Sequence, residues 1–405
     1  MSNMKSLKVL YFTCMEITKN NNIHQNQVFG LADKGVDYFF YFMSPMFIIT
    51  RSGFSLNFSK QNKDRSDTDE SIIPIPSIMV LMHLIIIPFF LLITVPLFFL
   101  KIKKIKPQIV HCRALLSTFV AISAKKTFGL KYKIVCDPRS VYVEECVIHK
   151  AFRMNGINYK GWKKLERWIY RNSDACIGLS DYFADYMKAS NPKSYFVPAL
   201  VQDHLVFDEK LRESMRQEYE LTDKNIVFVY IGSIGTWHSI KLYIECLKRC
   251  RAMLPKEYNM KIILLTGNKR AIEELTNSFS SEQILMTGQV PPSEVKKVLC
   301  ASDYGIVPGS DLKGEHYDLL YATMIASKAE EFLASGLPIL VNSRIASLAK
   351  MIQECHAGFS FSEDSFIVDF KEKFNHAKIS DHFNHEFRAT GVVNKYKKIY
   401  QDILS

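Results

Sequence analysis

The 405-residue chain contains no CxxC pair, and its nine cysteines, an odd number, are scattered from Cys14 to Cys355. Only Cys246 and Cys250 stand close, one helical turn apart, with no histidine cluster beside them. That spacing disfavours a zinc site and a disulfide framework, and a reducing cytosol is the expectation. Glycine (17) and proline (14) are too few, and apolar residues at 48% too many, for a collagen, a mucin-like stalk or a disordered chain. The opening MSNMKSLKVLYFTC has neither the apolar core nor the small-residue cleavage site of a secretory signal. No repeat is visible, and the one low-complexity tract is the polar stretch 59–71, SKQNKDRSDTDES, expected to be a loop. The length suits two domains of ordinary size.

What the chain does have is an uneven charge. The formal net charge is +11, yet residues 101–200 hold 19 Lys and Arg against 7 Asp and Glu, and the remainder hold 33 against 34. All the basic excess lies in one block. No helix-turn-helix pattern, RNP-like aromatic motif or zinc-finger spacing accompanies it, so nucleic acid is not the expected partner. The block opens as KIKKIK directly after residues 72–100, 29 residues without a formal charge. About 20 apolar residues suffice to span a bilayer. Against spanning, Pro88 and Pro96 interrupt the run, and a span would separate the strand expected at 7–14 from its sheet partners at 109–112 and 132–137. The preferred reading is a monotopic apolar helix in one leaflet, with Lys101, Lys103, Lys104 and Lys106 on anionic headgroups. A very apolar core helix and a true span are the alternatives.

Short β-rich runs alternate with helical stretches throughout. Strands are predicted near 7–12, 38–42, 109–112, 132–137, 175–179 and 195–197, then near 226–231, 261–266, 283–286, 304–307, 339–341 and 358–361. Such alternation means parallel sheets with helices on both faces. The two series are broken by a charged segment at 200–224, so two doubly wound domains are expected: 1–204, carrying the apolar and basic element 72–106, and 205–385. A last helix at 386–405 is free to return to the first domain. Ligands of such sheets bind beyond the carboxyl ends of the strands.

Two stretches there carry chemistry. Ser327-Lys-Ala-Glu-Glu-Phe-Leu-Ala-Ser-Gly-Leu-Pro338 starts a helix with Lys328 and Glu331 on one face of its first turn, beside free N–H groups and the positive dipole end. An ammonium and N–H groups suit a diphosphate, and a carboxylate suits ribose hydroxyls. An ordinary capping box with a surface pair is the plain alternative. The strand at 226–231 runs into Gly232-Ser-Ile-Gly-Thr-Trp-His-Ser239, a glycine turn where backbone approaches a phosphate closely. Trp237 and His238 are not required by a turn.

At these positions the sequence resembles the retaining nucleotide-sugar glycosyltransferases of the two-domain GT-B fold, the group 1 or family 4 type that builds bacterial surface polysaccharides. The resemblance rests on K-x-x-E-F-L-A-x-G-x-P at 328–338, Y-I-G-S-x-G-x-W-H at 230–238, and TGQV followed by ASDYGIVP within 287–308. PQIVHCR at 107–113, VCDPRSVYVEE at 135–145 and LERWIYRNSDACIGLS at 165–180 look like its acceptor-side motifs. It implies an α/β GT-B fold, two doubly wound Rossmann-like domains facing a cleft, here with an apolar membrane-associating helix in the first.

Residue by residue, the resemblance implies that Lys328 neutralises the donor diphosphate and Glu331 holds the ribose hydroxyls. Gly232, Ser233, Gly235, His238 and Ser327 would complete the donor site. Asp137 and Arg139 become the catalytic candidates, Asp137 binding or deprotonating the acceptor hydroxyl and Arg139 binding phosphate or acceptor. His111, Arg113, Glu144 and Glu145 are acceptor-side candidates. A structural ion pair for Asp137 and Arg139, and a core role for His111, are the bland alternatives. The family's frequent glutamate seven residues before Glu331 is Met324 here, and a basic residue just after the glycine turn is missing unless Lys241 substitutes. No DxD-type metal motif lies in a suitable loop, and the fold that the resemblance implies usually works without one, so no metal and no cofactor are expected.

The implied activity is transfer of a sugar, with retention, from a UDP- or GDP-sugar to a polyprenyl-diphosphate-linked glycan in capsule, exopolysaccharide or O-antigen synthesis. The place implied is the cytoplasmic face of the inner membrane, against an anionic membrane surface. A sugar-nucleotide 2-epimerase on the same fold and a catalytically decayed scaffold are the alternatives.

Overall fold

A computed structural model of the chain describes residues 7–14, 36–50, 53–56, 70–79, 87–201 and 204–405. Most of the loop expected at 59–71 lies outside the described residues. The chain divides into two compact units, one of residues 1–198 with 393–405 and one of residues 199–392.

Among the described residues the first unit has eight strands: β1 (Leu7–Thr13), β2 (Val36–Thr50), β3 (Gly53–Leu56), β4 (Glu70–Met79), β5 (Ile109–Arg113), β6 (Lys133–Asp137), β7 (Ala175–Gly178) and β8 (Ser194–Phe196). They form one sheet in the order β3-β2-β1-β5-β6-β7-β8, with β4 also on β2. Every pairing is parallel except β2 with β3. β1, β5, β6 and β7 are almost wholly buried, as expected of strands covered on both faces. Helices Leu115–Phe128, Tyr142–Ile148, Ile157–Arg171 and Asp181–Lys188 connect them. Trp162, fully buried, packs with Ile87, Val143, Cys146 and Phe152.

The apolar run at 72–100 is not one helix. Its first part belongs to β4, paired in parallel with β2, and the helix begins at Ile87 and continues to Ile105. One side of that helix, through Val95, Phe98 and Ile102, is buried. The opposite side exposes Phe89, Leu92, Ile93 and Leu100 before ending in Lys103 and Lys104. Among the described residues no helix is long and apolar enough to cross a membrane.

The second unit has six parallel strands, β9 (Asn225–Ile231), β10 (Asn259–Leu265), β11 (Ile284–Gly288), β12 (Tyr304–Val307), β13 (Ile339–Asn342) and β14 (Gly358–Phe361), ordered β11-β10-β9-β12-β13-β14. Strand alternation splits the core into two layers. Val227, Val229, Ile339 and Val341 join one, while Phe228, Tyr230 and Leu340 join the other. Helices therefore cover both faces. The helix Ser327–Ala334 lies so close to β12 that a side-chain carbon on Gly305 would overlap the Phe332 ring. The helix Ala389–Leu404 leaves the second unit and contributes residues 393–405 to the first.

Candidate functional site

In the second sheet the strand order reverses between β9 and β12, so the connections leaving these strands diverge at their carboxyl ends. β9 leaves through Gly232, whose φ of 110° lies in the region that L side chains avoid. A side-chain carbon there would stand 3.6 Å from Lys328 Nζ, so the backbone of the turn lies against the lysine. Ser233 and Gly235 are exposed, and the Gly235 N–H donates to the His238 carbonyl at 3.0 Å.

Lys328 stands on the helix Ser327–Ala334, which is fixed at its far end. The Ala334 carbonyl accepts from Ser380 Oγ at 2.6 Å and Asn384 Nδ2 at 2.7 Å. The near end is open. Its N-cap is Ala326, with no side-chain cap, and Ser327 is the first helical residue, so a capping box is absent. Glu330 is turned inward, where Oε1 accepts from the Ala199 N–H at 3.2 Å. Glu331 stays half-buried on the Lys328 side. The result is an uncapped helix start with its positive dipole end beside an amine.

That amine is held by an aromatic ring. Lys328 Nζ donates to Tyr230 Oη at 2.6 Å and lies 4.1 Å from the Tyr230 ring centroid. Burial brings its pKa down to about 7, against the smaller opposing pull of Glu331. Burial also raises the Glu331 carboxyl, which Lys328 partly offsets. His238 is 6% exposed, and its Nδ1 has no hydrogen-bond partner among the described residues. Burial, and then Lys328, hold its pKa down at about 3, so it is a neutral hydrogen-bonding ring at physiological pH. Glycine-turn backbone, an under-solvated amine and an open helix start favour an anion, and Glu331 adds an acceptor for hydroxyl groups.

The first unit carries a second cluster. Register aligns Tyr11 on β1 with His111 on β5, and Arg113 with Asp137 on β6. His111 is fully buried between the rings of Tyr11, at 4.9 Å, and Tyr396, at 5.2 Å. Its Nδ1 is 2.7 Å from Tyr400 Oη, and Nε2 is 3.5 Å from Asp137 Oδ2. Asp137 is 1% exposed and pairs with Arg139 at 3.3 Å. Burial would raise its carboxyl, but Arg139, His111 and Arg113 together bring it down to about 2. Asp137 is thus an ionised anchor, a weak base at neutral pH. Arg113 Nη1 donates to Tyr11 Oη at 3.4 Å. Both loops that follow these strands contain a non-glycine residue at positive φ, Ala114 and Arg139, each at 70°.

The structure therefore places His111, Arg113, Asp137 and Arg139 together, and Gly232, Ser233, His238, Ser327, Lys328 and Glu331 together in the other unit. Glu144 is engaged elsewhere. Its carboxylate accepts from Lys163 Nζ at 3.0 Å and from Tyr159 Oη at 3.2 Å, in a buried network with Glu166 and Tyr186. Glu145, half-buried, has its carboxyl raised by burial against smaller pulls from Ser140 and His149. Two residues are given no site role by the sequence: Tyr230 reads only as the strand residue that opens the 230–238 motif, and Tyr400 lies 289 positions from His111.

No family model matches the chain, and no curated protein matches its sequence. Solved structures do match over nearly the whole length. A sucrose-phosphate synthase (tll1590) from Thermosynechococcus elongatus aligns over 98% of this chain and 99% of its own, at 14% identity and a TM-score of 0.64. HepE (Alr3699) of Anabaena, solved in complex with UDP, aligns over 98% and 100%, at 9% identity and 0.65. The lipopolysaccharide outer core galactosyltransferase WaaB, in its apo form, aligns over 98% and 99%, at 13% identity and 0.63. The chain thus has the two-domain α/β fold, GT-B, of these glycosyltransferase structures.

Proposed function

We propose that the protein is a glycosyltransferase that takes a sugar from a nucleotide-sugar donor held in the second unit. The observation that carries this is Lys328, an amine kept short of water against Tyr230, beside a glycine turn and an uncapped helix start. A half-buried amine that makes no salt bridge among the described residues is costly to keep charged until an anion arrives. In a transfer reaction the leaving nucleoside diphosphate gains charge as the glycosidic bond breaks, and Lys328 with the helix N–H groups would stabilise that charge. Glu331 would accept hydrogen bonds from the ribose hydroxyls, and neutral His238 would act as a hydrogen-bonding group. The matching Anabaena protein, solved with UDP and with UDP-glucose, supports a nucleotide-sugar donor.

The finer reading is transfer with retention to a polyprenyl-diphosphate-linked glycan in surface polysaccharide synthesis. The Asp137, Arg139 and Arg113 cluster would orient a phosphate-bearing acceptor. The helix Ile87–Ile105 would rest on the anionic inner leaflet at the cytoplasmic face. A surface helix is ordinarily polar on its outer side, whereas Phe89 and Leu92 here are 67% and 72% exposed. The lysines at its end would meet lipid phosphates.

The test is donor consumption. The protein is incubated with UDP- and GDP-sugars and vesicles carrying a polyprenyl-diphosphate-linked glycan. One donor should yield free nucleoside diphosphate and an elongated lipid, and Lys328→Ala should abolish both. Conversion of the donor to its 2-epimer without lipid would establish the epimerase alternative instead.

A further inference from the structure

The Tyr230 hydroxyl makes two hydrogen bonds with its single oxygen. It accepts from Lys328 Nζ at 2.6 Å and donates to the Ser233 carbonyl, also at 2.6 Å. One atom thereby joins the amine of the helix Ser327–Ala334 to the glycine turn after β9. A phenol has one proton and two lone pairs, so both bonds fit its capacity. Burial pushes the Tyr230 phenol well above its ordinary range, so it stays protonated and offers the lysine a dipole and no charge. The ring beneath Nζ acts in the same way, through its π face. The other titratable groups facing the amine are His238, 5.9 Å from Tyr230 between ring centroids, and Glu331 one helical turn along.

We infer that Tyr230 is a positioning residue for the diphosphate site, holding Lys328 on the anion's side and tying it to the turn through one of the amine's three N–H groups, which leaves the other two for a phosphate. The inference rests on the proposed donor site and adds to it a residue whose effect runs entirely through another. A side chain oriented before binding spares the ordering cost on binding.

The experiment is a double-mutant cycle read by calorimetric titration. Wild type, Tyr230→Phe, Lys328→Met and the double variant are titrated with UDP, GDP and ADP and with the matching monophosphates. For the nucleotide that wild type prefers, Tyr230→Phe should weaken the diphosphate about tenfold, the scale of one hydrogen bond to a charged group. The monophosphate should change less than about twofold. In the Lys328→Met background, Tyr230→Phe should add nothing, because the group it positions is gone. A Tyr230→Phe effect that persists in that background, or is equal for monophosphate and diphosphate, overturns the inference. So does wild-type affinity in Tyr230→Phe while Lys328→Met is impaired. If Lys328→Met itself binds like wild type, the donor site is what fails. Should the phenylalanine variant not fold, Tyr230→Met in the same two backgrounds replaces it.

Discussion

Replacing Lys328 by methionine should make the ligand-free protein more stable and the donor site useless. The side chains are similar in length, and the change removes only the amine. In the folded protein burial holds the Lys328 pKa at about 7, against an ordinary 10.5. An unfolded chain therefore binds a proton more readily than the folded one, and at pH 7 this opposes folding by at most about 4 kcal/mol. The amine is only partly buried, so water screens much of that, and Glu331 loses its attraction to the amine in the variant. A net gain of about 1–3 kcal/mol is expected, or roughly 3–10 °C in melting temperature for a unit of this size. Nucleoside diphosphate affinity should fall about a hundredfold, since a charge-assisted contact to phosphate is lost. Thermal melts with and without nucleotide read both effects. A variant that melts lower than wild type without ligand would show Lys328 to be a structural residue and refute the reasoning.

Three other outcomes follow from the same geometry. Above pH 7 the free protein's Lys328 amine is increasingly unprotonated, so diphosphate binding takes up a proton and should weaken with rising pH by up to about tenfold per unit; titrations at pH 6.5, 7.5 and 8.5 check this, and Lys328→Met should show no such slope. Asp137 has a folded pKa of about 2, below its ordinary 3.8, so its stabilisation is complete above the ordinary value and disappears as pH falls through about 2. Asp137→Asn should therefore cost about 2 kcal/mol at neutral pH and flatten that acid limb in denaturant titrations; an unchanged limb would mean that Arg139 and His111 do not hold the charge. Phe89→Glu with Leu92→Glu should release the protein from vesicles containing anionic lipid in flotation assays, and undiminished binding would remove the helix Ile87–Ile105 from the membrane contact.

Much of this was legible in the chain itself, for identifiable reasons. Strands buried on both faces read as short apolar runs, and NIVFVYI and NMKIILL stand out as β9 and β10 because polar and glycine turns bracket them. The Lys328 and Glu331 pair was legible because helical spacing alone puts them on one face. The end of β4 was hidden. Pro74 and Pro76 argue against a strand, and no charge marks where the apolar strand stops and the apolar helix begins. The site's tyrosines were hidden for a different reason. Tyr230 continues the pattern of a buried strand, and only its hydroxyl's meeting with Lys328 distinguishes it. Tyr400 reaches His111 because the final helix joins the first unit, a tertiary fact that local pattern does not encode. The ion pair of Glu144 was hidden in the same way, since Lys163 lies 19 positions along the chain and meets it only in the fold.

The most direct measurement is calorimetric titration of the protein with UDP, GDP, ADP and CMP, beside a Glu331→Ala variant. One nucleoside diphosphate should bind, and the variant should bind it at least about tenfold more weakly because a ribose contact is missing. Binding of none by folded protein, or binding unchanged in the variant, would contradict the donor site on which the account depends.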